Sequence, residues 1–198
     1  VATTAEASEE EATESEVQLM SSGATATIDT NLKVSLSWDA PQGTTADSYD
    51  VTKLDASGSQ VGTTTNVTTT SYSETLSQGE VCSYKIEAKS GGATIETNTT
   101  SKIVASVVTV TDQGSANVKL SYTAPSDART YEFYDGATKL SSDTLTVVAG
   151  TTYNFQVKAD ASDISPVTQV KGDSYILKTP SAYTEGGYAG VWIKWSPA

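Results

Sequence analysis

The stretch "VSLSWDAP" at residues 34 to 41 returns as "VKLSYTAP" at 118 to 125, and a third version, "VWIKWSPA", closes the chain at 191 to 198. In the first, Leu32, Val34, Leu36 and Trp38 alternate with Lys33, Ser35 and Ser37. A period of two places the apolar residues on one face of a strand and the polar ones on the other. Pro41, which has no N–H to give a ladder, ends the strand. A strand apolar on one face needs a second sheet to cover it, so the phrase predicts half of a sandwich, and its return predicts another.

The surrounding sequence repeats in the same order. "SYDVTKLDASG" sets Tyr49, Val51 and Lys53 against Asp50 and Thr52, with a turn at Ser57 and Gly58. In "GEVCSYKIEAKSGG", Cys82, Tyr84, Ile86 and Ala88 share the inward face, and Ser83, Lys85, Glu87 and Lys89 the solvent face. The second half answers with Val118, Leu120 and Tyr122, then Tyr131 and Phe133, then Tyr153, Phe155, Val157 and Ala159, all expected inward. Short strands about ten residues apart, separated by polar turns, predict an all-β chain of antiparallel sandwiches.

The composition agrees. Thr and Ser supply 58 of 198 residues, and Tyr outnumbers Phe ten to two. The net charge is −12, and six glutamates fall in the first 16 residues, where Lys and Arg do not occur. An acidic surface repels phosphate backbones and anionic head groups, so neither a nucleic-acid nor a membrane-surface partner is expected. No apolar run reaches the roughly 18 residues of a membrane helix, so no membrane insertion is expected. Cys82 is the sole cysteine, which rules out an intrachain disulfide and does not by itself set the redox compartment, since many bacterial secreted proteins avoid the residue. The chain begins with Val1 and carries no signal peptide, which reads as a processed or excised piece.

The strand phrase V-x-L-x-W followed by Pro, then a Tyr-x-Val strand, then Leu or Val before Gly and an aromatic three residues on, resembles the fibronectin type III domain. The resemblance covers about residues 24 to 105 and 106 to 180. It implies a tyrosine corner at Val147, Gly150 and Tyr153, whose ring packs on the core while its hydroxyl bonds nearby backbone. The first half departs from it: Leu76 and Gly79 are in place, but Cys82 stands where the tyrosine belongs, with Tyr84 two residues later. Trp38, Tyr122, Tyr153 and Trp195 are the aromatic residues expected to be structural. Residues 1–23 read as an acidic tail or tether, and 181–198 as the start of a third module or a terminal strand that pairs with an open sheet edge.

Chemistry is sparse. The chain has no histidine, which removes the usual general base and the usual partner of a nucleophilic Ser or Cys. A glycosidase needs two suitably placed carboxylates, and Asp39, Glu87, Glu132 and Asp163 are available, but they read as surface acids. Asp160 and Asp163 do not match a calcium-loop spacing. The sequons at Asn66 and Asn98 are attributed to the abundance of Thr, and Cys82 to the core. No catalytic residue, metal or cofactor is expected. Exposed aromatic residues remain: Trp192, Tyr183 and Tyr188 form a candidate ligand or strand-pairing surface. The expectation is a non-catalytic extracellular protein, secreted or on a bacterial cell surface, serving as spacer, adhesion or protein-binding module. Its partner would be a protein or glycan, a neighbouring domain, or a second copy reached by strand addition. The alternatives are a carbohydrate-binding accessory of a secreted glycosidase and a fibre subunit built by strand exchange.

Overall fold

The computed structural model describes residues 23–176 and the backbone of two short strands at 182–183 and 192–193. In the first half, β1 (Thr25–Ile28), β2 (Lys33–Ser37) and β5 (Ser71–Thr75) form one antiparallel sheet in the order β1-β2-β5. Facing it are β4 (Thr65–Val67), β3 (Ser48–Asp55), β6 (Glu80–Ser90) and β7 (Ala93–Thr99), in the order β4-β3-β6-β7, with β8 (Ile103–Ala105) also paired to β6. The second half repeats the plan. Its first sheet runs β13 (Thr144–Thr146), β10 (Asn117–Ser121), β9 (Thr109–Gly114); its second runs β12 (Thr138–Lys139), β11 (Glu132–Asp135), β14 (Thr152–Lys158), β15 (Thr168–Lys171). One 3-10 turn, Gly172–Tyr175, follows. Among the described residues there is no α-helix, and the fold is all-β, as the alternation predicts.

The opening phrase becomes β2 and its exit. Val34, Leu36 and Trp38 are buried while Lys33, Ser35 and Ser37 are exposed, and β10 buries Val118 and Leu120 in the same way. Two clusters result. The first gathers Val34, Leu36, Trp38, Tyr49, Val51, Cys82, Tyr84, Ile86 and Ile103. The second gathers Val108, Val118, Leu120, Val147, Phe155, Val157 and Val170. Tyr84 and Phe155 are the largest of the fully buried side chains, and burying an aromatic of that size is worth about 1.5–3 kcal/mol.

Three residues of the first half depart from simple alternation. Thr52, at an outward position, is 2% exposed because the chain after the Ser57–Gly58 turn folds back along β3. The Val61 N–H donates to Lys53 O, and the Thr52 and Thr64 hydroxyls lie 2.8 Å apart. Ser83 is also buried rather than solvated. Lys53 shares the inward face of Tyr49 and Val51, which a charge tolerates only with partners. It finds them in Glu74 and Glu80.

Both first hairpins need left-handed backbone. Asp29 caps one, its Oδ1 accepting from the N–H groups of Asn31 and Lys33, with Leu32 at φ 63°. In the other, Ser115 and Ala116 both sit at positive φ, 55° and 61°, where a β-carbon is strained. Replacing this pair with Asn-Gly should therefore raise stability by up to about 1 kcal/mol in urea titration. Phe155→Ala should lower it by about 3–5 kcal/mol, seen as an earlier urea midpoint at unchanged slope.

Candidate functional site

Two polar clusters stand out, one in each half. In the first, β3 contributes Lys53, β5 contributes Glu74, and β6 contributes Glu80 and Tyr84. Lys53 Nζ lies 3.1 Å from Glu74 Oε2 and 2.9 Å from Glu80 Oε1, and the Tyr84 hydroxyl donates to Glu74 Oε1 at 2.6 Å. Burial works against the Lys53 charge, but the bonds to Glu80 and Glu74 outweigh it and raise the lysine pKa. Burial, then the bond to Glu74, pushes the Tyr84 phenol far above its usual range. Beside the cluster lies a cleft of about 280 Å³ lined by Val51, Tyr72, Thr63 and Thr65 among others. All the charged groups here are satisfied by one another. A protonated lysine and a neutral phenol hold the ends of two strands; neither is poised to take a proton.

The cluster also explains the missing corner. In the second half the Val148 N–H donates to the Tyr153 hydroxyl at 3.0 Å, and the Tyr153 ring stacks on Phe155 at 5.5 Å, closing a tyrosine corner. In the first half Cys82 fills the equivalent place as a small apolar group, its thiol pushed up to about 12 by burial. Tyr84, two residues on and facing the same way, bonds the Glu74 side chain instead of backbone.

The second cluster lies where the halves meet. Arg129 Nε donates to Asp127 Oδ2 at 2.6 Å, Nη1 to both oxygens of Asp163 at 2.8 and 2.9 Å, and Nη2 to the Tyr131 hydroxyl at 2.9 Å. Asp163 also accepts from the Ala159 and Asp160 N–H groups. Burial opposes the Asp127 charge, yet the bonds from Arg129 and Tyr131 prevail and lower its pKa. An open cleft of about 570 Å³ beside the cluster is lined by Lys102, Thr130, Asp160 and Ser162 as well as Arg129 and Asp163.

The other candidates disperse. Glu87 pairs with Lys85 and Lys89, and Glu132 with Lys139, on outer faces of separate sheets. Asp39 is exposed beyond the end of β2. Among the described residues no three metal-ligating side chains gather, and no helix is long and apolar enough to cross a membrane. Of the sequons, Asn66 is exposed on β4 with its amide on Asp50, while the Thr100 hydroxyl that Asn98 would need is bonded to the Tyr84 N–H. Trp38 is buried and meets Tyr49 edge-on at 5.5 Å. Tyr122 is half-buried, its ring 5.3 Å from Phe133. The strands β16 (Ala182–Tyr183) and β17 (Trp192–Ile193) pair antiparallel, with Tyr183 opposite Trp192 along the backbone. Tyr188, Trp195 and the acidic residues 1–22 lie outside the described residues.

Three strands facing four, in the order found twice here, define a fibronectin type III-like sandwich. No family model matches the sequence, and no curated protein matches it. Among solved structures the chain is similar to the chicken interferon gamma receptor alpha chain, with 15% identity over 90% of this chain and 98% of that one, at a TM-score of 0.36. It is also similar to a segment of two fibronectin type III domains from chicken tenascin, with 20% identity over 75% and 97% and a TM-score of 0.34. The central fibronectin type III array of RIM-binding protein gives 14% identity, 87% and 79% coverage, and a TM-score of 0.30. The strand order, rather than these likenesses, carries the fold assignment.

The two hydroxyls should differ in worth. Tyr84→Phe takes a charge-assisted bond from a fully buried ring and should cost about 1.5–3 kcal/mol, whereas Tyr153→Phe frees the N–H of exposed Val148 to water and should cost about 1 kcal/mol or less. Lys53 and Tyr84 both have raised pKa values, so their stabilisation is complete below their ordinary values and is lost as pH rises through the raised ones. Urea titrations should therefore weaken above about pH 10. Asp127, being lowered, stabilises above its ordinary value, and its contribution disappears below about pH 4. Asp127→Asn should flatten that acid limb.

Proposed function

We propose that this chain is a non-catalytic modular segment of an extracellular protein, secreted or on a bacterial surface, and that it acts as a spacer or protein-binding module. Residues 24–105 and 106–180 are its two modules, 1–23 its acidic tether, and 181–198 the start of a third module or a terminal strand. The observation that carries the reading is that two sandwiches of the same strand order follow each other with only residues 106–108 between β8 and β9. A chain built to repeat one fold with minimal connection is suited to setting distance and presenting edges. The groups that chemistry would need support it further. Asp163, Glu87 and Glu132 hold structural partners, and Cys82 is sealed in the core. The aromatic residues Trp192, Tyr183 and Tyr188 are the proposed ligand or strand-pairing surface of the terminal segment.

The reading is tested with the full chain on chromogenic glycosides, esters and phosphates, and on polysaccharide columns. It predicts no turnover, and equal passage of wild type and Trp192→Ala through the columns. Retention that vanishes in Trp192→Ala would replace it with the carbohydrate-binding accessory, and filaments lost on deleting residues 189–198 would replace it with the fibre subunit.

A further inference from the structure

The repeat provides an internal control, because places that correspond in the two sandwiches can be compared directly. Gly150, in the second corner, is at φ +77°, and an added β-carbon would meet nothing within 4 Å. Gly79, its counterpart, is at φ +83°, and a β-carbon there would stand 3.0 Å from the backbone oxygen of Ala124, in the other sandwich. The Gly79 carbonyl accepts from the Ser126 N–H at 2.8 Å. A corner that is open in one copy is therefore pressed against its neighbour in the other.

The connection between the sixth and seventh strands of the plan differs too. In the first sandwich it is Gly91 and Gly92, between β6 and β7; in the second it runs from 159 to 167, between β14 and β15. The added length reaches back to the first sandwich. Ile164 pairs with Ile103 as a parallel bridge: the Val104 N–H donates to Ile164 O, and the Ile164 N–H to Lys102 O, both at 2.8 Å. Its side chain packs on the first core. The linker is sealed as well, with Ser106 and Val108 buried and the Ser106 hydroxyl donating to Thr123 O at 2.7 Å.

Arg129 ties the parts together. Asp127, on the loop that carries Ala124 and Ser126, takes its Nε; Asp163, on the loop that carries Ile164, takes its Nη1. The Asp163 side chain is only 2% exposed, so its charge depends on this partner and on the two N–H groups it accepts from. One guanidinium thus holds both loops that touch the first sandwich. A lysine, with a point charge and no fork, cannot serve Asp127, Asp163 and Tyr131 at once.

We propose that the joint between the two sandwiches is locked by strand addition of the 159–167 loop onto β8, with Arg129 as its latch, so that the pair holds one fixed orientation. The lock goes beyond the spacer reading and would hold equally if the pair proved to bind a glycan. It is tested by spin-labelling Ser35→Cys and Lys119→Cys, exposed residues at corresponding places on β2 and β10, and measuring the distance distribution between them in the full chain. Buried Cys82 stays unlabelled in the folded protein. The expected result is a single narrow peak that broadens or splits in both Arg129→Lys and Gly79→Val, each with an unchanged far-ultraviolet circular dichroism spectrum. A broad distribution in the otherwise unaltered chain overturns the lock, whether or not either variant folds. A narrow peak that survives both substitutions overturns the assignment of Arg129 and the Gly79 contact as the features that hold it.

Discussion

A β-sheet with one apolar face is stable in water only when something covers that face, and the whole of this protein follows from meeting that constraint twice. Val34, Leu36 and Trp38 on one sheet are covered by Tyr49, Val51, Tyr84 and Ile86 on the other. Val118 and Leu120 are covered by Phe155 and Val157. The sheets in each half are narrow, so their ends and edges need polar closure, and this is where the copies diverge. One closes with a tyrosine hydroxyl on backbone, the other with a lysine, two glutamates and a displaced tyrosine.

That divergence shows how a fold keeps its layers while exchanging the devices that hold them. Cys82 and Tyr84 occupy the same face of β6, so moving the aromatic ring two residues along keeps it in the core. What changes is the partner within reach of its hydroxyl. Here that partner is Glu74, near the end of β5, and an inward carboxylate in turn requires a cation. Lys53 and Arg129 are two of only 12 Lys and Arg residues in the chain, and both are spent on joining strands or loops.

The layers were legible in the sequence because alternation is local: β2, β6, β10 and β14 could be read from their own residues, as could the corner at Tyr153. Lys53 was legible as inward but not as paired, since its partners are 21 and 27 residues away. The burial of Thr52 depends on a segment that folds back over it, which no period reveals. By sequence Asp163 reads as a surface acid, yet it is buried, because its partner lies 34 residues earlier on another loop. One signal did exist. Against the two-glycine turn at Gly91 and Gly92, the long connection before Thr168 is an insertion, and an insertion carrying Ile164, Pro166 and Val167 has apolar surface to place.

At the junction the 159–167 loop is joined to β8 through two backbone bonds between residues far apart in sequence. Site-resolved hydrogen exchange of the full chain under native conditions measures those bonds directly. The account predicts that the amides of Val104 and Ile164 are protected to the same degree as those of Ile86 and Phe155 within the sheets. Exchange at Val104 and Ile164 as fast as at the exposed turn around Gly58 would contradict it, and would leave the 159–167 loop unpaired with the first sandwich.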